Sequence, residues 1–309
     1  MNRYGFMFHH FHDESKHKKS EGSINQKQLK SILLNFKRYI VEADEFLNSL
    51  DSKHKSSKKM ICLTFDDSIK SQAHVALEVL DDLKMKAFFF VNTFQFENKL
   101  GLIECCRYFR NNYFLTVEEF NNFFIEHLKS IYTRKKIENF INLNKKFFLR
   151  MKKTSPFYTN KDLEFRLLRD FFLKKSEFNK ILIRLFKLKD FDYKKENKKL
   201  HFNKREILSL INNGHEIGLH SHSHPIPITS LSKKKIREEY NKNYSILKKI
   251  TKKNVVSMSH PNGYFNQECK TILKNLNIKI GFANSYNGLK NKKFDMLNIP
   301  RIDHSSLIK

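Results

Sequence analysis

Asp66 and Asp67 stand side by side at the end of the apolar run Ile61-Cys62-Leu63-Thr64-Phe65, and far downstream comes His220-Ser221-His222-Ser223-His224. Adjacent carboxylates add nothing to an apolar core, so this placement calls for another reason. One carboxylate with two imidazoles suits a hard or borderline divalent ion and leaves positions for water and substrate. His220 and His224, four apart, meet on one side of a helical turn or tight loop. In an extended strand His220, His222 and His224 share a face, so spacing leaves the choice among the three open. Two ionised carboxylates in a dry site repel, so one is best neutralised by the metal while the other takes a proton from water. That is machinery for hydrolysis of an acyl group, and it also needs an acid for the leaving group. Asp is also a favoured helix N-cap, a role compatible with this chemistry.

These groups must be held by elements around them. Met60–Phe65 reads as a buried strand that Asp66, Asp67 and Ser68 end. Residues 69–84 have helical spacing through Ala73, Ala76, Leu77, Leu80 and Leu83, and Ala87–Val91 is a second apolar strand. Strand, helix and strand within a short span make a parallel βαβ unit, whose functional groups gather at the carboxyl ends of the strands. Gly5–His9 is a β-prone start, residues 11–27 are loop-like, and a helix is expected from Gln28 to Leu50, followed by a polar connector from Asp51 to Lys59. After Asn203, which caps a helix stopped by Gly214, a short strand His215–Leu219 delivers His220 to its end. Ser232 caps a helix from Lys233 to Ile250. Val255–Ser259, a turn at His260-Pro261-Asn262-Gly263, a helix from Asn266 to Leu276, and strands Ile278–Ala283 and Leu297–Ile302 complete the series.

Residues 100–202 differ. They are helical, Phe-rich and Lys-rich, with Thr116 and Glu119 forming a capping box. The stretch is expected to be a helical insertion within a single domain spanning 1–309, with its phenylalanines as its own core; a lid or an oligomer surface are its other readings. Residues 134–205 hold 23 Lys/Arg against 8 Asp/Glu within a chain of net charge +27. Such charge fits an anionic partner (nucleic acid, a membrane face, a phosphorylated substrate). Compositional drift toward Lys, Asn, Ile and Phe is the preferred account, because basic surfaces need no partner.

Thr64-Phe65-Asp66-Asp67-Ser68 resembles the T-F-D-D-G motif of the polysaccharide deacetylases, the NodB-homology group or carbohydrate esterase family 4. His220-Ser221-His222-Ser223-His224 is similar to their H-[ST]-x-x-H motif, and Pro261-Asn262-Gly263-Tyr264 to their P-x-G segment. The resemblance covers residues 60–92 and 203–302. It implies an α/β fold, a distorted (β/α) barrel, and removal of acetyl groups from N-acetylated sugars. By motif, Asp66 becomes the general base, and Asp67, His220 and His224 the metal ligands; His222 falls on a variable position. The metal is expected to be zinc, with Co, Mn, Ni or Fe as alternatives. Pro261, Gly263 and Tyr264 would contact substrate and offer an oxyanion N–H. Three departures stand out: Ser68 replaces Gly, His260 stands where an Arg commonly precedes the Pro, and the C-terminal L-x-H that supplies the acid is not visible. Some bacterial exopolysaccharide deacetylases use a Tyr-His near the first strand instead. Phe8-His9 resembles that pair, which makes His9 the candidate acid, with His10 in reserve near the substrate and His304 third. Arg301, after Pro300, is placed to orient Asp66.

No apolar run reaches the roughly 20 residues needed to span a bilayer. The start of the chain is too short in apolar residues for a signal peptide, and four cysteines without paired spacing fit a reducing compartment. The expectation is a cytoplasmic hydrolase, its association with the inner membrane face left open. Its substrate would be an N-acetylated sugar or glycan precursor, not nucleic acid. An O-acetyl esterase and a non-catalytic glycan- or metal-binding module on the same fold are the alternatives. Asp66 argues against the module, which has no need of a base. The oligomeric state is not legible.

Overall fold

The computed structural model describes residues 3–51, 58–97, 99–154, 157–284 and 295–308. The chain forms two compact units: Met1–Phe11 with Ile24–Lys99 and His201–Lys309, and His12–Ser23 with Leu100–Leu200.

The first unit is built on seven parallel strands: β1 (Arg3–Phe8), β2 (Met60–Phe65), β3 (Phe88–Val91), β4 (Glu216–Leu219), β5 (Ser257–Ser259), β6 (Ile280–Phe282) and β7 (Arg301–Asp303). Their order is β6-β5-β4-β3-β2-β1-β7. The edges nearly meet. Ile299, just before β7, bridges Phe282 of β6, and its N–H donates to the Gly281 carbonyl at 2.8 Å. The result is a distorted (β/α) barrel. Alternation along the strands sends Cys62, Phe88, Phe90, Ile280, Phe282 and Ile299 into one apolar cluster with Phe46, while the opposite faces pack under the surrounding helices. The stacked rings of Phe88 and Phe90, 5.9 Å apart, show the wall filled by large side chains on alternate residues.

Most of the expected caps form; at Thr116 the hydroxyl accepts the Glu119 N–H, but the Glu119 carboxylate accepts from the Leu115 N–H, so the expected box is half made. The Asn203 side chain accepts from the Glu206 N–H, with Glu206 returning the bond as a capping box; Ser232 and Asn266 each accept the N3 amide of their helices. The helix expected over Gln28–Leu50 does not run through. It is Gln26–Phe36, a 3₁₀ turn Lys37–Tyr39, and a second helix Ala43–Asp51. The break has a tertiary cause: Ile40 bridges Ile61 and the Val41 N–H donates to the Ile61 carbonyl at 2.9 Å. Two β-branched residues are thus drawn beside the start of β2, which β3 pairs only at Thr64 and Phe65. Most of the connector expected over Asp51–Lys59 lies outside the described residues.

The second unit is all-helical among its described residues. Its own core gathers Phe109, Phe120, Phe124, Phe165, Phe178, Phe186 and Phe191. Residues 12–23 belong to it: the buried Arg110 guanidinium pairs with both Glu21 and Asp162. All four cysteines are free and buried, and no helix among the described residues is long and apolar enough to cross a membrane.

Candidate active site

The carboxyl end of β2 carries the two aspartates. The Asp66 N–H donates to the Phe8 carbonyl at 3.1 Å, continuing the β1–β2 ladder one residue beyond the strand. There the backbone reverses: Asp67 takes φ +73 and Ser68 φ +51. The left-handed region is strained for a residue with a Cβ, which accounts for Gly at the equivalent motif position. Ser68 offsets its strain with hydrogen bonds: its hydroxyl donates to Asn92 Oδ1 and accepts from Gln95 Nε2, each at 3.1 Å. The chain returning from the helical unit pins the turn, with Phe202 N–H donating to the Ser68 carbonyl at 2.8 Å.

Asp66 is almost wholly buried and gripped. Arg301 Nη1 donates to Oδ1 and Nη2 to Oδ2, both at 2.8 Å, a fork-to-fork pair. The Ser259 hydroxyl donates to Oδ2 at 3.1 Å. Arg301 is itself fully engaged, donating also to Thr64 Oγ1, Asn284 Oδ1 and the Ala283 carbonyl. Gly5 makes room for it: a Cβ there would lie 3.2 Å from Arg301 Cγ. Burial pushes the Asp66 carboxyl up, but the Arg301 guanidinium, helped by His220, outweighs it and holds the group at about 2. Arg301 thus contacts both oxygens of Asp66 from within the barrel unit.

Asp67 faces the histidines. Its Oδ1 lies 3.3 Å from His220 Nε2 and 3.5 Å from His224 Nε2, and one ligand atom from each of the three lies within 4.8 Å of the others. Bonds of about 2.0–2.1 Å to a tetrahedral ion place donors roughly 3.3 Å apart, so the separations fit a shared divalent cation. The donor chemistry fits too. His220 Nδ1 is 2.9 Å from the Ser259 carbonyl, which fixes the proton on Nδ1 and turns the Nε2 lone pair toward Asp67. Burial brings His224 down to about 4, keeping it neutral at pH 7. Burial also lowers His220, but Asp66 and Asp67 outweigh it and raise the imidazole, so a proton competes with a metal for this nitrogen. Asp67 itself is driven well below the ordinary range by His224 and His220 in spite of its burial.

The 220–224 loop is locked from behind. The His220 N–H donates to Asn243 Oδ1 at 3.0 Å, and the Asn243 amide donates to the Val91 carbonyl. Ser221 and His224 both take positive φ, and Glu239 accepts from the Ser223 N–H and hydroxyl at 2.7 and 2.6 Å. His222 points elsewhere: its Nδ1 meets Thr93 Oγ1 at 2.9 Å and its Nε2 lies 3.3 Å from Glu97. Of the three histidines, His220 and His224 face Asp67, and His222 faces Thr93 and Glu97.

His9, just past β1, sits a quarter exposed with Nε2 3.8 Å from Asp66 Oδ2, and its ring stacks on His10 at 6.2 Å. His304 does not join them; it is buried, stacked on Phe8 at 5.7 Å. Pro261–Gly263 form a 3₁₀ turn after β5, with Tyr264 half-exposed beside it. The Gly263 and Tyr264 N–H groups both donate within that turn, to the His260 and Pro261 carbonyls. Gly263 takes φ +73, and a Cβ there would lie 2.9 Å from the Asn284 backbone nitrogen. The turn thus abuts Asn284, which accepts a bond from Arg301. His260 is buried against Phe265, its Nε2 2.9 Å from the Leu297 carbonyl, and burial brings it down to about 4. It supplies no replacement for the missing Arg.

Sequence reasoning missed Ser259, which bonds Asp66 through its hydroxyl and His220 through its carbonyl, and Asn243, which aligns His220. The one available signal was the position of Ser259 at the end of a strand directly before the His260-Pro261 turn.

A family model described as polysaccharide deacetylase matches residues 53–109 and 188–281, the segments that carry both aspartates and both histidines. The chain belongs to the polysaccharide deacetylase family. Solved structures share the deacetylase fold. The Streptococcus pyogenes deacetylase PplD, solved with acetate, is 16% identical, with 98% of this chain and 92% of that one covered and a TM-score of 0.55. IcaB from Ammonifex degensii is 12% identical over 99% and 95%, at a TM-score of 0.57. A de-N-acetylase from Aggregatibacter actinomycetemcomitans is 12% identical over 97% and 94%, also at 0.57. No curated protein matches the chain. Family membership makes deacetylation of an acetylated polysaccharide the activity class of this deacetylase.

Proposed function

We propose that the deacetylase is a divalent-metal-dependent hydrolase that removes acetyl from an N-acetylated amino sugar in a glycan or glycan precursor, releasing acetate and a free amine. The observation that carries this reading is the pairing of two unlike carboxylates: Asp67 open to His220 and His224, and Asp66 closed off by Arg301.

Asp67, His220 and His224 would hold the ion, zinc first by donor type. A divalent ion there supplies Lewis acidity, polarising an acetyl carbonyl and acidifying water. Asp66 receives the proton of the attacking water. Its basicity is reduced by Arg301, but the same contacts keep it ionised and fix both oxygens in direction, so orientation does the larger share. Asn243 and the Ser259 carbonyl hold His220 in one rotamer and one tautomer. His9, beside Asp66 and open to solvent, gives its proton to the leaving nitrogen; His10 is the reserve for that role and stands close enough to meet the sugar. Pro261, Gly263 and Tyr264 form the rim on the substrate side, with Tyr264 presenting an exposed ring to a pyranose face. The Aggregatibacter neighbour is a de-N-acetylase, which supports the choice of amide over ester.

An amine leaves only once protonated, whereas an alkoxide leaves more readily, and this gives the test. Purified protein supplied with Zn²⁺ or Co²⁺ is expected to release acetate from N-acetylglucosamine oligosaccharides. His9→Ala should slow that reaction by about 10²–10⁴-fold yet slow hydrolysis of an activated acetate ester only several-fold. Acetate release from O-acetylated sugars alone would replace the amide reading with an esterase. No release from any acetylated sugar would leave a binding module.

A further inference from the structure

The helical unit carries a surface that the deacetylase chemistry does not use. Between Arg134 and Thr154 the chain has eight Lys/Arg and one Glu, arranged as two helices, Arg134–Leu143 and Lys145–Thr154. Three of those cations (Arg134, Lys135, Lys136) open the first helix, where basic residues oppose the helix dipole; Arg134 pairs with Glu138 one turn on, and Lys136 lies over the Tyr132 ring. On the second helix the residues face two ways. Phe147, Phe148 and Met151 fall on one side and are half-buried, Phe147 against Phe171 with ring centroids 5.6 Å apart. Lys145, Lys146, Leu149, Arg150 and Lys152 fall within about 160° on the other side, and all are exposed.

Large apolar side chains stand open among these charges. Leu143 is 84% exposed, Leu149 69% and Phe171 57%. A lone exposed leucine needs no explanation; three beside a dense field of cations form a pattern. Cations with protruding aliphatic groups are what an anionic bilayer surface recognises: the charges meet lipid phosphates and the leucines enter the boundary of the acyl region. Nucleic acid would match the charge, and Phe171 and Arg150 suit base stacking, but the two most exposed apolar groups of the face, Leu143 and Leu149, are aliphatic and gain nothing from it.

We propose that this face, centred on Lys145, Lys146, Leu149 and Arg150 with Leu143 and Phe171 beside it, is a peripheral docking surface for anionic lipid. It holds the enzyme at a membrane surface without crossing it.

Co-sedimentation of the full chain with vesicles tests this. Binding is expected to vesicles of 70% phosphatidylcholine and 30% phosphatidylglycerol, to fall on raising salt from about 0.05 to 0.5 M, and to be absent from pure phosphatidylcholine. The triple change Lys145→Glu, Lys146→Glu and Arg150→Glu should weaken binding at least about 10-fold. Leu143→Ser with Leu149→Ser should weaken it several-fold at unchanged charge. Because these side chains are exposed, both variants should keep the circular dichroism spectrum and the acetate release of the parent. Equal binding to both vesicle types, or full binding by the charge-reversed protein, overturns the proposal. So does tight, charge-dependent binding to single-stranded DNA with none to vesicles, which would assign the face to nucleic acid.

Discussion

Asp66→Asn is expected to cut kcat for acetate release by about 10²–10⁴-fold while leaving the bound metal in place. Asparagine is isosteric and can keep one bond from Arg301, so the β2 turn and the Asp67–His220–His224 cluster stay as they are. What disappears is the acceptor for a proton. Metal content measured by atomic emission, together with kcat and KM, checks this. Full metal with lost turnover and little change in KM is the expected combination. A variant that turns over at the parent rate would show that Asp66 is a structural partner of Arg301 only. A variant that loses its metal as well would place Asp66 among the ligands. Asp67→Asn supplies the contrast, because there metal and turnover should fall together.

Arg301→Met is expected to destabilise the protein by about 3–5 kcal/mol, since it leaves the buried Asp66 carboxylate without its counter-charge. The pH dependence gives the sign. In the parent, Asp66 lies at about 2, below the ordinary carboxyl value near 3.8. Its pairing therefore contributes stability that is whole above the ordinary value and is lost as pH falls from about 4 through about 2. Without Arg301 the carboxyl rises. The acid limb of kcat/KM should then move to higher pH, and the loss of stability between about pH 4 and 2 should flatten. Thermal melts across that range and a pH–rate profile measure both effects. If the variant fails to fold, Arg301→Lys carries the test: it keeps the charge, loses the fork, and should shift the acid limb less while lowering kcat through a less firmly held Asp66. An unmoved acid limb in a folded variant would contradict the role given to Arg301.

Much of this site was legible because its chemistry is local in sequence. Asp66-Asp67 and His220-x-x-x-His224 are runs of unusual residues at strand ends, and a βαβ pattern places strand ends together. Arg301 was legible only as a basic residue on a late strand. Its reach to Asp66 depends on β7 pairing beside β1, with Gly5 opposite Arg301, and no local pattern encodes that neighbour. Asn243 was not legible at all, because it acts on backbone groups of other elements. Ser259 gave only its place at a strand end; its contacts to the Asp66 and His220 side chains depend on β5 lying near them, which its residue type does not report. The break in the first helix was hidden for a related reason: Ile40 continues the helical spacing, and only its pairing with Ile61 at the start of β2 draws it out. The allegiance of residues 12–23 to the helical unit rests on pairing of Glu21 with Arg110, a distant contact that periodicity cannot report.

The central claim is that Asp67, His220 and His224 hold the ion on which deacetylation depends. It is tested most directly by stripping the purified enzyme with a chelator and titrating Zn²⁺ back while acetate release from an N-acetylglucosamine oligosaccharide is followed. The parent should lose activity on stripping and recover it fully at one equivalent of metal. His220→Ala and His224→Ala proteins of unchanged fold should bind Zn²⁺ at least about 10-fold more weakly and recover little. Acetate release that survives stripping, or recovery of the histidine variants at the same single equivalent, would contradict the account.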